Sequence, residues 1–337
     1  MPLLRILLIP FSILYCFYQL IRNRLFDLNI LKASEFNFPI ISIGNLSVGG
    51  TGKTPLANYL ITKLKSKYNI TFLSRGYKRN SSGYILANEY SSVNEIGDEP
   101  YLIKQTHNDI TVAVCENRVY GIQASPQNEN ESNLFILDDA FQHRSLKASI
   151  NIVLSKFNQP FFDDFIIPSG NLREPVSGIN RANIIIISKC PIDLSEKTKN
   201  DFVKKINSNS DQKIFFSSIK YKNHVFGKYQ LSHKKISKQA VVLVTGIADS
   251  TTLENFLYEK NIIFDHLKFK DHHKYSKQDI ILIKSKSKNK NIITTKKDYF
   301  KILEIENLEN LFYQDIKIEF LFNDEKKFIK ELNKYIK

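Results

Sequence analysis

The chain has 337 residues, 42% hydrophobic and 24% charged. That excludes a wholly disordered chain and a polytopic membrane protein, and the length suits two domains. Forty-eight basic against 34 acidic residues give a net charge of +14, so an anionic partner is expected: nucleic acid, an anionic membrane or a phosphorylated substrate.

The basic residues are unevenly divided. There are nine arginines, and the last is Arg181. An AT-rich genome would favour the lysines. A sharper reading is that arginine persists where its planar, bidentate fork is needed. Cys16, Cys115 and Cys190 are isolated, with no disulfide or metal spacing, which fits a reducing compartment.

In chain order, Ile6 to Ile21 carry no charged side chain, with Arg5 before the run and Arg22 and Arg24 after it. As a helix the run rises roughly 24 Å, short of the about 20 residues of a typical span. Pro10 should kink or delay the helix. No small-residue cleavage site follows, which argues against a removable signal peptide. Residues 1–24 therefore read as a membrane-associated helix, either dipping into the bilayer or lying along it; an ordinary buried helix is the plainer alternative.

Continuous β-branched runs then predict strands at Ile40–Ile43, Ile70–Leu73, Ile110–Val114, Leu134–Leu137, Ile150–Leu154 and Ile184–Ser188, with helices at Lys53–Lys65 and Glu196–Ile206. The alternation predicts an α/β fold over residues 25–212, a P-loop NTPase-like doubly wound parallel sheet. Residues 213–235 read as a linker with short strands. Residues 236–337 read as a second, smaller α/β domain, with strands at Val241–Val244, Ile292–Thr294 and Ile316–Leu321 and helices at Thr252–Glu259 and Glu325–Tyr335. The lysine- and serine-rich tract 284–290 reads as a solvated loop.

The strongest motif is Ser42-Ile-Gly-Asn-Leu-Ser-Val-Gly-Gly-Thr-Gly-Lys-Thr-Pro55. It follows a strand and opens a helix, as a phosphate-binding loop must. Ser47, Val48, Gly49, Gly50, Thr51, Gly52, Lys53 and Thr54 form its expected ligand set. Lys53 would reach the β- and γ-phosphates of ATP, and the Thr54 hydroxyl would ligate Mg²⁺. Ser47 stands where the strict pattern has glycine, so the loop is a GGxGK[ST] variant. Partition-type ATPases share that variant, but Val48 stands where their lysine precedes the glycines. Four apolar residues followed by Asp138 and Asp139 supply the metal-site partner at the end of another strand.

Several segments together resemble the tetraacyldisaccharide 4'-kinase (lipid A 4'-kinase) family: Asp138-Asp-Ala-Phe-Gln-His143, Gly44–Pro55, Leu73-Ser-Arg-Gly-Tyr77, Gly97-Asp-Glu-Pro100, Ser169-Gly-Asn-Leu-Arg-Glu-Pro175, Asp271-His-His273 and Thr294-Thr-Lys-Lys-Asp298. The N-terminal Leu8–Tyr15 is similar to that family's membrane helix, so the resemblance spans essentially the whole chain. Ala140 and Lys296 depart from the usual glycine and glutamate. The resemblance implies ATP-dependent phosphorylation of the 4'-hydroxyl of tetraacyldisaccharide 1-phosphate to lipid IVA. It also implies a monotopic or peripheral enzyme at the cytoplasmic face of a Gram-negative inner membrane, with an anionic membrane surface as partner. Asp98 matches the family's catalytic carboxylate and His272 its partner histidine. Arg75, Arg118 and Arg173 face phosphates or bridge nearby carboxylates. His143 is either a hydrogen-bonding group behind the site or structural, and Glu174 is a candidate for shaping the acceptor site. Asp98 and His272 come from different halves, so the site is expected between them. A monomer is expected, and no nucleic-acid-binding motif appears. The rival reading is a membrane-associated P-loop NTPase switch, for which Thr295-Lys-Lys-Asp298 formally matches a guanine-reading motif.

Overall fold

The computed structural model describes residues 3–128, 132–206, 211–288 and 290–336. Thirteen strands form one sheet. They are β1 (Ile40–Asn45), β2 (Asn69–Ser74), β3 (Ile85–Leu86), β4 (Thr111–Val114), β5 (Asn133–Asp138), β6 (Ile150–Lys156), β7 (Ile184–Ser188), β8 (Lys213–Phe226), β9 (Gln230–Ser232), β10 (Val241–Thr245), β11 (Phe264–Lys268), β12 (Ile292–Thr295) and β13 (Leu311–Phe320). Their order is β11-β10-β12-β13-β8-β7-β6-β1-β5-β2-β4-β3, with β9 beside β8.

β1 is buried along its whole length and pairs parallel with β5 on one side and β6 on the other. Ile41 and Ile43 pack into one core with Leu56, Leu60 and Ile61 of the helix Lys53–Leu64. Full burial of each such side chain contributes about 1.5–3 kcal/mol. Ile40 faces the opposite core, with Leu137 and Phe135. The chain leaves β1 for β2 on one side and reaches β6 and β7 on the other. The crevice at the C-terminal end of β1 is thus a topological switch point, where open α/β sheets bind ligands.

Residues 213–226, expected as short strands of a linker, form one 14-residue strand. Its first part, to Phe216, pairs parallel with β7, and the rest, from Ser217 to Phe226, pairs antiparallel with β13. The sheet therefore continues from the first half into the second. Segment 284–287, expected as loop, is the last turn of the helix Lys277–Ser287. A capping box of Ser276 and Asp279 starts that helix and buried Ile280 and Ile283 hold it, which outweighs the polar tail. Residue 289 of that tract lies outside the described residues.

Pro10 separates the short helix Leu3–Leu7 from Ile9–Asp27, near whose start it sits. The longer helix docks through polar groups. Ser12 Oγ donates to Ile166 O at 3.1 Å, Tyr15 OH to Arg173 O at 3.0 Å, and Arg144 to Asn23 O at 2.7 Å. Phe11, Ile13, Leu14, Phe17 and Tyr18 point away, 58–69% exposed. Among the described residues no helix is long and apolar enough to cross a membrane.

Candidate active site

The loop after β1 turns on two glycines in left-handed conformation, Gly49 (φ 100°) and Gly52 (φ 94°). Gly52 is the N-cap of the helix Lys53–Leu64, so free N–H groups and the helix dipole meet at one anion-binding end. Lys53 Nζ lies 3.0 Å from Asn45 Oδ1 and 3.3 Å from Asp139. Of the expected ligand set, Ser47 forms an antiparallel bridge with Leu172, and the Val48 N–H is engaged, donating to Asn171 O at 2.8 Å.

Asp138 ends buried β5 and is only 5% exposed. Ser74 Oγ donates to its Oδ2 at 3.2 Å, while Oδ1 is buried without a partner among the described residues. Burial foremost, with Asp139 and Glu99 adding to it against Lys53, pushes its carboxyl up to about 6. Asp139 follows in left-handed conformation (φ 49°) and is fully occupied. Arg173 Nη1 reaches its two oxygens at 2.7 and 2.8 Å, and Lys53 lies beside them. Burial opposes ionisation of Asp139, but the Lys53 and Arg173 charges outweigh it and hold the carboxyl below its ordinary range.

Asp98 opens the helix Asp98–Thr106. Gly97, its N-cap, has φ 89°, and a Cβ there would come 3.0 Å from Tyr77 O, so glycine is required. That packing seats Asp98 beside the end of β2, one strand from β5. Three donors converge on Asp98 Oδ2 from the second half: His272 Nδ1 at 2.8 Å, Lys297 Nζ at 3.0 Å and Lys301 Nζ at 3.3 Å. Among the described residues, Oδ1 has no hydrogen-bond partner. Burial would raise the Asp98 carboxyl, but the His272 hydrogen bond and the two lysine charges hold it well below the carboxylate range. Lys297 also pairs with Glu99 at 2.9 Å. His272 is itself left-handed (φ 58°), its N–H donating to Gly246 O after β10.

Lys297 and Lys301 were not singled out from the sequence. They stand four apart, on one face of the helix Lys296–Leu303, and that spacing was the available signal. The rival's Asp298 is fully buried, accepting from Gly246 N–H at 2.9 Å and from Thr295 Oγ1 at 2.8 Å. It caps structure and is not available to read a base.

The remaining candidates divide. Arg75 is exposed with no ion pair among the described residues. Arg173 bridges Asp139. Arg118, expected as a phosphate contact or a bridge to a carboxylate, is 3% exposed and donates to the backbone carbonyls of Cys115, Glu116 and Asp138. It braces the turn beneath the two aspartates. Glu174, expected to shape the acceptor site, is 2% exposed and holds Arg181 at 2.7 Å and Gln142 at 2.9 Å. Among the described residues His143 Nε2 is buried without a partner; burial first, then Arg118, Arg22 and Arg75, lower its pKa to about 4, so it is neutral at pH 7.

A family model described as tetraacyldisaccharide-1-P 4'-kinase matches residues 4–337. The tetraacyldisaccharide 4'-kinase of Flavobacterium johnsoniae is 43% identical over 338 residues, covering 100% of this chain and 98% of its own length. That of Flavobacterium psychrophilum is 44% identical over 339 residues, with the same coverage. The crystal structure of LpxK from Aquifex aeolicus in complex with ATP superposes with a TM-score of 0.81 at 30% identity, over 99% of this chain and 100% of that one.

Proposed function

The chain belongs to the tetraacyldisaccharide 4'-kinase family, and from that premise we infer an ATP-dependent lipid kinase. It transfers the γ-phosphoryl group of ATP to the 4'-hydroxyl of tetraacyldisaccharide 1-phosphate, giving lipid IVA in lipid A biosynthesis. The observation that best supports this reading is the Asp98 carboxylate, fixed through one oxygen by His272, Lys297 and Lys301, in the crevice of a phosphate-binding loop.

Phosphoryl transfer needs mainly positioning and charge stabilisation. The N–H groups from Gly49 to Thr54 hold the phosphate chain, and Lys53 neutralises charge on it. A carboxylate held as low as Asp98 is a weak base. In a loose transition state the acceptor proton leaves late, so Asp98 Oδ1 accepts from the hydroxyl, keeps it in line, and takes the proton as the new bond forms. His272 holds Asp98 and, with Lys297 and Lys301, fixes its orientation.

The donor set suits Mg²⁺, which binds through one or two carboxylates together with substrate phosphates. Among the described residues Asp138 Oδ1 is buried without a partner and the Thr54 hydroxyl makes no hydrogen bond, whereas both Asp139 oxygens are taken. Asp138 and Thr54 would therefore hold the ion, with Asp139 ordering Lys53 and Arg173. The ion would supply charge neutralisation on the phosphate oxygens.

The apolar outer face of the helix Ile9–Asp27, flanked by Arg5, Arg22 and Arg24, supports peripheral association with an anionic membrane surface, which for this substrate is the cytoplasmic face of the inner membrane. Transfer of labelled phosphate from ATP to purified tetraacyldisaccharide 1-phosphate tests the function; ATP hydrolysis indifferent to the lipid would contradict it.

A further inference from the structure

Two lysines at the mouth of the phosphate loop have no role in the chemistry above. β6 and β7 end side by side, with Lys156 in register with Ser188. Ser188 ties these strand ends to the loop, its Oγ donating to Thr51 O at 2.7 Å and to Ser155 O at 3.2 Å. Lys189 comes next, in left-handed conformation (φ 57°), which is uncommon outside glycine. Lys156 reaches the loop itself: a Cβ built on Gly49 would lie 3.5 Å from its Nζ. Among the described residues, neither ammonium makes a hydrogen bond or an ion pair. Lys189 is an exposed residue; desolvation by its surroundings, then the Lys156 charge, push its ammonium below the ordinary lysine range, while Asp249, beyond β10, opposes the shift without pairing. Like charges beside a phosphate loop favour a bound anion.

We propose that Lys156 and Lys189 form a second phosphate-binding cation pair, gripping the phosphate chain of the nucleotide at Gly49. Partition-type loops place a lysine at the position that Val48 holds here; this chain brings the charge from the end of β6. Lys53, engaged with Asn45 and Asp139, leaves that side of the loop to the pair. The inference rests on the reading that the loop binds ATP. The lipid acceptor also carries a phosphate, and the nearness of Lys156 Nζ to Gly49 favours the nucleotide as the source.

The test uses the full chain with Lys156→Gln, Lys189→Gln and Lys156→Arg. Calorimetry gives the Kd of ATP, steady-state transfer gives KM for ATP and for tetraacyldisaccharide 1-phosphate, and thermal melts are run without nucleotide. Each Gln variant should weaken ATP about tenfold, the loss of one charge-assisted hydrogen bond. The lipid KM should stay within about twofold, the nucleotide-free melting temperature should not fall, and Lys156→Arg should recover most of the affinity. An unchanged ATP Kd overturns the proposal, as does a rise confined to the lipid KM. So does weakened binding accompanied by a lower nucleotide-free melting temperature, which would make the role structural. Wild-type protein that binds ATP but transfers nothing to lipid fails the functional reading instead.

Discussion

His272 Nδ1 lies 2.8 Å from Asp98 Oδ2, across 174 residues of chain. His272 is held through its own N–H by Gly246 O, and Asp98 by the turn at Gly97, so each half of the sheet supplies one rigid partner. Replacing His272 by Ala should lower turnover about 10²-fold, the scale of a positioned proton-transfer group. The Kd of ATP, measured alongside, should stay within about twofold. Collapse of ATP affinity with turnover retained would assign His272 to the nucleotide.

Lys301 is buried and lies 3.3 Å from Asp98 Oδ2. Its charge helps to depress the Asp98 pKa, so Lys301→Met should raise it. If Asp98 is the proposed acceptor-side carboxylate, working ionised, the acid limb of the kcat profile should move to higher pH. An acid limb that stays in place would mean that another group limits turnover there.

Lys53→Ala removes the charge proposed to neutralise the phosphate chain, an ammonium that lies 3.3 Å from Asp139. Transfer should fall by about 10³-fold, as for other charge clamps on a moving phosphoryl group. Near-full activity in a single-turnover assay would reject the loop assignment.

His107 joins the helix Asp98–Thr106 to the helix Lys53–Leu64 through a 2.8 Å hydrogen bond between Nε2 and Asn58 Oδ1. Burial foremost lowers its pKa to about 4 from an ordinary 6.5. The unfolded chain therefore binds more protons between those values, and stability falls as pH drops from about 6.5 towards 4, by on the order of 2 kcal/mol. Chemical denaturation across this range should show the loss, and His107→Gln should flatten it. An equal slope in the variant would place the acid sensitivity elsewhere.

The helix Ile9–Asp27 presents Phe11, Leu14 and Phe17 outward and contacts the body through Ser12, Tyr15 and Asn23. Phe11→Asn, Leu14→Asn and Phe17→Asn together should release the protein from anionic vesicles in a flotation assay, with thermal stability nearly unchanged. Undiminished flotation would locate the anchor elsewhere.

The strands β1, β5, β6 and β7 were legible because buried parallel strands are continuous β-branched runs, and the loop because glycine and lysine at fixed offsets carry its geometry. Asp98 and His272 were legible only through family resemblance, since nothing local marks a lone aspartate or histidine. Lys297 and Lys301 were missed, because a helix rich in lysine reads as solvated until its face is known to meet Asp98. Glu174 and Arg118, candidates on the strength of their motifs, are both buried and engaged within the protein. The strand Lys213–Phe226 was broken up because its middle, from Lys220 to His224, is polar and half-exposed and interrupts the apolar pattern.

The most direct test compares wild type with Asp98→Asn in a transfer assay with labelled ATP and purified tetraacyldisaccharide 1-phosphate. Wild type should give lipid-dependent label at the 4'-position. Turnover by Asp98→Asn should be lower by about 10²-fold or more, with ATP affinity retained. Wild-type turnover by Asp98→Asn would rule out the proposed role of Asp98.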